Sequence, residues 1–304
     1  MPYELFLFGE KVRELREQQL LTQCEISDLS GVNVETVKRL EQGKVTPKLK
    51  TLESLSPILK CDLNKLLTEF RVKDFPKYSQ TKQRLELMFD RNDLDGLRLE
   101  MENLQRLLDN VKNDFSKKEI TQLLLLAKGV LLYKKDKKYN KGLEALCDAM
   151  KVFTPSFVLK NYKLCHYSQL EIRILMNIGF VLHKLKRQQE YENLMKFCFE
   201  KVDETDSMYP QICHNLAGVY RRKEDYTKAL HYSQLGIDYC IKTKNLQGIS
   251  FLYFGKGVAQ YYLGIEDYKE AFEKAVFFCK FFKESNLEKS MTENCYKYFG
   301  VKLQ

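Results

Sequence analysis

Apolar residues recur every three or four positions along most of the chain, which is the spacing of one face of an α-helix. Glycine and proline are sparse, at 14 and 6 residues in 304, and no alternating apolar run is bounded by turn signals. The sequence has no membrane-length apolar stretch, and its N-terminus lacks the features of a signal peptide. The pattern predicts an all-α, cytoplasmic protein with no membrane partner.

The first 68 residues predict short, closely spaced helices. Thr22 and Glu25 have the spacing of a capping box, so a helix begins directly after Thr22. Gly31 tolerates the positive φ of a tight turn, Asn33 caps the next helix, and Gly43 ends that helix. The predicted helices are residues 8–19, 23–30, 34–42, 49–59 and 62–67.

Residues 21–59 carry the motif of a known DNA-binding class. They resemble the phage-repressor (Cro/C1, or XRE) type of helix-turn-helix domain, through Thr22, Gln23, Gly31, Val37, Glu41, Gly43 and Pro47. Ser27 stands where this class often has alanine. The resemblance implies that residues 1–70 form a DNA-binding domain whose third helix enters the major groove, with Val37 and Glu41 as scaffold. The alternative is a small helical bundle whose charges are merely solvated.

The resemblance also implies which residues contact DNA. Base contacts are expected from Val34, Glu35 and Arg39, since a valine can pack on a thymine methyl, a glutamate can accept from cytosine and an arginine can pair with guanine. Phosphate contacts are expected from Gln23, Asn33, Thr36, Lys38 and Lys44. Between residues 33 and 50 five basic residues outnumber two acidic ones, although residues 1–68 hold ten of each.

From about residue 79 the helices lengthen, pair and repeat. The clearest copy lies 42 residues further along and keeps four identities: Ala217 and Ala259, Tyr220 and Tyr262, Tyr226 and Tyr268, Ala229 and Ala271. A partial copy comprises Tyr133, Tyr139 and Gly142. Small residues let paired helices approach closely while tyrosines fill the groove between them. The spacing resembles lengthened tetratricopeptide repeats, and it predicts a solenoid over residues 79–304.

The predicted helix pairs are 79–91 with 93–111, 116–134 with 138–153, 167–186 with 188–203, 207–223 with 225–243, and 246–264 with 266–284. A closing helix is expected over residues 286–299. Pro76 marks a linker over residues 71–78 between the two regions.

Two asparagines point to a peptide site. Asn177 and Asn215 lie 38 residues apart at similar points of successive first helices, which would line the trough of the solenoid. A carboxamide can hold both the C=O and the N–H of one peptide unit. Helices about 8–10 Å apart and a peptide rise of about 3.3 Å per residue then fit a ligand of about five to eight residues.

The whole layout resembles the RRNPP peptide-pheromone receptor regulators of Gram-positive bacteria. The resemblance implies a homodimeric quorum-sensing transcription regulator that binds double-stranded DNA at a palindromic operator and a short imported peptide. It implies peptide contacts from Asn177 and Asn215. Tyr253 lies one repeat of 42 residues beyond Gln211, so both are expected to line the same trough. Arg173 and Lys128 are candidates for pairing with a peptide carboxylate. A solvent-facing or structural asparagine is the alternative for the first two, and a solvated charge is the simpler interpretation of Arg173 and Lys128.

Composition adds three constraints. The formal charge of +9 resides entirely in residues 69–304, which suits an anionic peptide terminus. The nine cysteines occur singly, so we expect reduced, mostly buried thiols. The four histidines form no metal-binding or catalytic motif, so no enzyme activity, metal or cofactor is predicted. Two other functions remain open: repeats that bind an antirepressor or other protein partner, and a scaffold that binds no DNA.

Overall fold

The computed structural model describes residues 4–70, 75–91, 93–111, 114–204 and 206–303. Within these ranges the chain is helical and contains no strand, so the all-α prediction is confirmed. The chain forms two compact units, Met1–Leu131 and Leu132–Gln304. None of the described helices combines the length and apolarity needed to cross a membrane.

In the first unit the helices are α1 (Leu5–Gln18), α2 (Gln23–Ser30), α3 (Val34–Glu41), α4 (Leu49–Leu55), α5 (Leu63–Glu69), α6 (Phe75–Arg91), α7 (Leu94–Asn110) and most of α8 (Asp114–Lys134). In the second unit they are α9 (Tyr139–Lys151), α10 (Gln169–Lys184), α11 (Gln188–Lys201), α12 (Tyr209–Arg222), α13 (Tyr226–Thr243), α14 (Ile249–Tyr262), α15 (Tyr268–Phe281) and α16 (Ser285–Phe299). A 3₁₀-helix, Leu159–Leu164, precedes α10.

Residues 4–70, here called the head, form a five-helix domain around one apolar cluster. Every helix contributes to it, and its buried members are Leu5, Phe8, Val12, Ile26, Val37, Leu40, Leu52, Leu55, Leu59, Leu63 and Leu67. The sequence-predicted local signals are confirmed: the capping box joins Thr22 and Glu25, and Gly31 has a φ of 67°. These signals matter because they set the angle between α2 and α3.

In the second unit each helix packs on the next, and α12 also packs directly on α14. The bounds of the predicted repeat helices agree with the structure to within a few residues, and the third predicted pair, α10 with α11, packs together. The repeat alanines Ala217, Ala229 and Ala259 are fully buried, as expected of close helix contacts. Tyr262 differs from the prediction, because it does not fill a groove between helices. Its ring stacks on that of Tyr226, with centroids 4.4 Å apart, and the residue is 55% exposed.

The predicted linker also differs from the structure. Residues 75–78 form the first turn of α6, and residues 71–74 lie outside the described residues. Pro76 fits this first turn because the first N–H groups of a helix have no intrahelical acceptor, so a missing N–H is tolerated there.

The cysteines are free thiols, and five are buried: Cys198, Cys213, Cys240, Cys279 and Cys295. Burial raises the pKa of Cys213 and Cys240 to about 12 and that of Cys295 to about 11. Cys24, on α2, is exposed. Burial of most of the thiols agrees with the expectation, and their reduced state stays a prediction.

Candidate DNA-binding and peptide-binding sites

Helix α3 is held in place by one buried apolar edge and a defined start. Val37 and Leu40 are each 1% exposed in the core of the head. The Asn33 side chain caps the helix, because its Oδ1 accepts from the backbone N–H of Glu35 at 2.8 Å. This fixes which side of α3 remains open to solvent.

The open side of α3 carries the predicted base-reading residues. Val34, Glu35 and Arg39 are exposed, as expected for side chains that reach base edges. Lys38 is also exposed, and its Nζ lies 3.9 Å from Glu35 Oε2. Of the other predicted phosphate contacts, Asn33 and Lys44 are exposed, and Gln23 and Thr36 are half-buried.

A buried ionic network joins α1, α2 and α3. Arg16 donates from Nε and Nη2 to the two carboxylate oxygens of Glu41, at 2.7 and 3.0 Å. Its Nη1 donates to the Leu21 carbonyl at 2.6 Å, and the Gln23 side-chain amide donates to Glu41 Oε2 at 2.7 Å. The hydrogen bonds to Glu41 raise the pKa of Arg16. Glu41 is therefore scaffold, as predicted.

The network also changes the picture for Gln23. One N–H of its side-chain amide donates to Glu41, because a buried carboxylate needs several donors. The other N–H of that amide remains available for a phosphate. The helical pattern does not predict the buried position of Arg16, since an arginine on an amphipathic helix is usually solvated. Gly9 was also missed: a Cβ there would lie 2.5 Å from the carbonyl oxygens of Leu40 and Glu41, so glycine allows α1 to touch the end of α3.

Asn177 is buried in the middle of α10 and takes part in two hydrogen bonds. The Tyr133 hydroxyl donates to its Oδ1 at 2.9 Å, and its own amide donates to the Arg173 carbonyl at 2.8 Å. It is 6% exposed, so the solvent-facing alternative is wrong for this residue. One amide N–H and one acceptor lone pair remain beyond these two bonds.

Asn215, on α12, has the same arrangement in a more open place. Its amide donates to the Gln211 carbonyl at 2.6 Å, and the Tyr191 hydroxyl donates to its Oδ1 at 3.5 Å. Both Asn215 and Gln211 are half-buried. Two asparagines thus share one pattern, in which a tyrosine and the carbonyl one turn earlier fix the carboxamide.

The other predicted peptide contacts differ from one another. Tyr253, on α14, is 9% exposed and stacks on Phe278 with ring centroids 5.8 Å apart. Arg173 is buried, so a solvated charge is the wrong interpretation for it. Lys128 is exposed on α8 and belongs to the first compact unit, so its part in a peptide site stays a prediction.

A separate open pocket of about 510 Å³ lies beside the 3₁₀-helix. Its lining includes Leu159, Tyr162, Leu182 and Asn193, and none of the predicted peptide contacts. Within the described parts of the chain no cluster of His, Cys, Asp or Glu could hold a metal ion.

Comparison with known proteins supports the assignment of the head as a helix-turn-helix domain. Residues 12–66 match the helix-turn-helix family HTH_3. The chain is 32% identical over 69 residues to the HTH-type transcriptional regulator PuuR of Escherichia coli K12, covering 23% of this chain and 37% of PuuR. It is 41% identical over 54 residues to the repressor RghR of Bacillus subtilis, covering 17% of this chain and 40% of RghR. The matches thus span about two fifths of these relatives' length, and neither relative is an enzyme.

Solved structures match nearly the whole chain. Bacillus thuringiensis PlcR, in complex with the peptide PapR7 and DNA, has a TM-score of 0.74 at 15% identity, covering 93% of this chain and 98% of PlcR. ComR of S. thermophilus, in complex with DNA and its signalling peptide ComS, has a TM-score of 0.61 at 15% identity, covering 94% and 98%. The resemblance predicted from the sequence is confirmed at the level of the fold.

Proposed function

We propose that this protein is a DNA-binding transcription regulator of the quorum-sensing type, controlled by a short imported peptide bound along the first helices of its repeats. The observation that carries the proposal is a helix-turn-helix head followed by a repeat region whose fold matches PlcR over 93% of the chain. The PlcR and ComR structures hold both DNA and a peptide, which supports the same two partners here.

The head supplies the means to read DNA. Val34, Glu35 and Arg39 share the solvent-facing side of α3, and the Arg16–Glu41 ion pair holds that helix against α1. Since α3 is fixed from behind, its backbone needs no rearrangement on binding, and only the exposed side chains have to be ordered. The protein acts as a homodimer, whose two heads read half-sites about 34 Å apart, one helical turn of DNA.

The shared pattern at Asn177 and Asn215 supports a peptide-backbone clamp. Each carboxamide is already oriented by two protein groups, so its remaining N–H and lone pair are set in advance for one peptide unit. The peptide alters DNA binding only as far as it prefers one arrangement of the protein over another, with a coupling of about 1–3 kcal/mol.

The DNA half is tested by selecting bound duplexes from a randomised pool and repeating the selection with Arg39→Ala. We expect the variant to lose about 1–3 kcal/mol of discrimination at one base position, because a bidentate arginine–guanine pair is removed. Arg98→Ala, which removes an exposed arginine from α7, is the matched control. Unchanged selectivity in the Arg39 variant would remove this residue from the base-reading set.

The peptide half is tested by mass spectrometry of small peptides that remain bound when the protein is purified from its native host. Calorimetry with a recovered peptide should then show lost binding for Asn177→Ala and Asn215→Ala, with DNA binding retained. Asn193→Ala, an exposed asparagine on α11, is the control. Undiminished peptide affinity in both variants would refute the clamp, and recovery of a folded protein in place of a peptide would favour the protein-partner alternative.

A further inference from the structure

Two arginines at the end of α12 carry positive charge that nothing in the described chain neutralises. Arg221 Nη1 is buried without a hydrogen-bond partner. Burial lowers the pKa of Arg221, and the neighbouring charge of Arg222 lowers it further. The Arg222 guanidinium lies 5.8 Å from the centre of the Tyr191 ring and forms no ion pair among the described residues. The two cations therefore stand side by side without an acidic partner.

A glycine on the neighbouring helix makes room for this arginine. A Cβ at Gly255, on α14, would lie 2.5 Å from Arg221 Nη1 and 3.1 Å from Ser233 Oγ. Ser233, on α13, is fully buried, and its hydroxyl also lacks a hydrogen-bond partner. Two buried donors from different helices thus converge on one point that only a glycine leaves open.

His214 lies close to the same arginine. It lies two turns before Arg221 on α12, and its Nδ1 is buried without a partner. Burial lowers the pKa of His214 to about 4, and the positive charge of Arg221 contributes to this shift. A hydrogen bond to the Phe251 backbone uses the single N–H of the neutral imidazole, so its free Nδ1 is an acceptor and leaves the positive charge of Arg221 uncompensated. We call His214, Arg221, Arg222, Ser233 and Gly255 the Arg221 cluster.

The Arg221 cluster adjoins the asparagine clamp. Gln211, Asn215 and Arg222 recur at intervals of four and seven residues, so they share one side of α12. The link is also physical, because Tyr191 both donates to Asn215 Oδ1 and lies under the Arg222 guanidinium. Arg222 is therefore within reach of a group on a ligand held at Asn215, and Arg221 is next to it in the chain.

Arg221 is half-buried, but its buried Nη1 has no acceptor, and the fold offers this cation only the end of its own helix. A helix C-terminus favours cations, but by only about 0.3–1 kcal/mol at exposed sites. A carboxylate would accept two charge-assisted hydrogen bonds from a guanidinium and would satisfy the Ser233 hydroxyl as well. Two guanidinium groups and a hydroxyl, without an acid beside them, have the chemistry of an anion site.

We propose that the Arg221 cluster is a carboxylate-binding site, which takes either the C-terminal carboxylate or an acidic side chain of the peptide ligand. This inference rests on the proposed peptide-binding function and adds to it the chemical class of the recognised group. Arg221 and Arg222 pair with the carboxylate, Ser233 donates to it, His214 adds no competing negative charge, and Gly255 leaves room for the Arg221 guanidinium.

Four pools of randomised synthetic heptapeptides test the site, and retention on the full-length protein is measured by mass spectrometry. Two pools end in a free carboxylate and two in an amide, and one pool of each kind lacks Asp and Glu. We expect the amidated pool without Asp and Glu to be retained about tenfold to a hundredfold less than the best pool, the range for a charge-assisted hydrogen bond of about 1.5–3 kcal/mol. Retention from the free-acid pool without Asp and Glu identifies the C-terminus as the source, and retention from the amidated pool with them identifies a side chain.

The variants separate the site from a general charge effect. Arg221→Gln should abolish the preference for carboxylates without lowering Tm, because it removes an unpaired buried charge. Gly255→Ala should weaken the same preference by displacing the guanidinium, and it provides the test if Arg221→Gln fails to fold. Arg98→Gln removes one exposed positive charge from α7 and should leave the preference intact.

Three results would overturn the inference. Equal retention from all four pools would show that the protein binds peptides without using a carboxylate, which leaves the proposed function standing. Retention from no pool would contradict peptide binding itself and the carboxylate site with it. A preference that persists in both Arg221→Gln and Gly255→Ala would place the carboxylate elsewhere.

Discussion

The head and the second compact unit, here called the repeat unit, treat a buried guanidinium nitrogen in opposite ways. In the head, Arg16 is enclosed by acceptors: both oxygens of Glu41 and the Leu21 carbonyl. In the repeat unit, Arg221 has a buried Nη1 with no acceptor at all. The difference shows that burial alone does not define the role of a charged residue. The first arginine completes a scaffold, whereas the second keeps a hydrogen-bond donor without an acceptor.

The contrast extends to other polar groups. Within residues 4–70 no buried side-chain nitrogen or oxygen lacks a partner. In the repeat unit five residues have such an atom: Glu171, His214, Arg221, Ser233 and Gln260. Because an unpaired buried polar group costs about 1–3 kcal/mol, the head gives up little stability in this way and the repeat unit gives up more.

The largest effect is expected when Arg16 loses its carboxylate partner and so comes to resemble Arg221. Glu41→Ala leaves the Arg16 guanidinium buried without its carboxylate, so we expect the head to lose about 3–5 kcal/mol of stability. Scanning calorimetry should show the head unfolding at a lower temperature while the repeat transition is unchanged. Glu35→Ala removes an exposed carboxylate from the same helix and should leave both transitions in place; a Glu41 variant as stable as this control would contradict the scaffold assignment.

A smaller effect is expected at the clamp. Tyr133→Phe removes the hydroxyl that donates to Asn177 Oδ1, leaving a buried acceptor unpaired at a cost of about 1–3 kcal/mol to the free protein. If Asn177 binds the peptide backbone, a peptide N–H can replace that donor, so calorimetry should show affinity that is retained or increased.

Loss of peptide affinity in proportion to the lost stability would instead make Asn177 a structural residue. Tyr296→Phe changes a 59% exposed tyrosine on α16 and is the control for the loss of a hydroxyl.

The smallest effect concerns pH. The pKa of His214 falls from 6.5 to about 4 on folding, so between these values the unfolded chain binds more protons than the folded chain. Stability therefore falls as pH falls through this window, by about 1 kcal/mol between pH 7.5 and 5.5. Thermal unfolding of the repeat unit should show this dependence, and His214→Gln should lose it. His166→Gln, at an exposed position, should keep it; an unchanged pH profile in the His214 variant would remove this residue as the cause.

Local signals account for how well the head could be predicted. The capping box at Thr22 and Glu25, the cap at Asn33 and the positive φ of Gly31 are each determined by neighbouring residues, and all of them occur as predicted. The Arg16–Glu41 pair could not be found in this way, because its partners are 25 residues apart and meet only after α1 and α3 pack.

The repeat region shows the same limit more strongly. Alanine spacing predicted the helix pairs, since close packing requires small residues at fixed positions. For Asn177 the sequence predicted only a position on a helix. The hydrogen bonds of its carboxamide could not be predicted, because the tyrosine that donates to it lies 44 residues earlier. The sequence did not single out Arg221 and Gly255, since the two residues come into contact only when α12 packs against α14.

The distribution of thiols gives the molecule a practical property. With five sulfur atoms enclosed by protein and Cys24 open on the second helix, a maleimide dye should attach there first. One fluorophore could then report, in real time and without any substitution, how added DNA fragments and synthetic peptides act on the head.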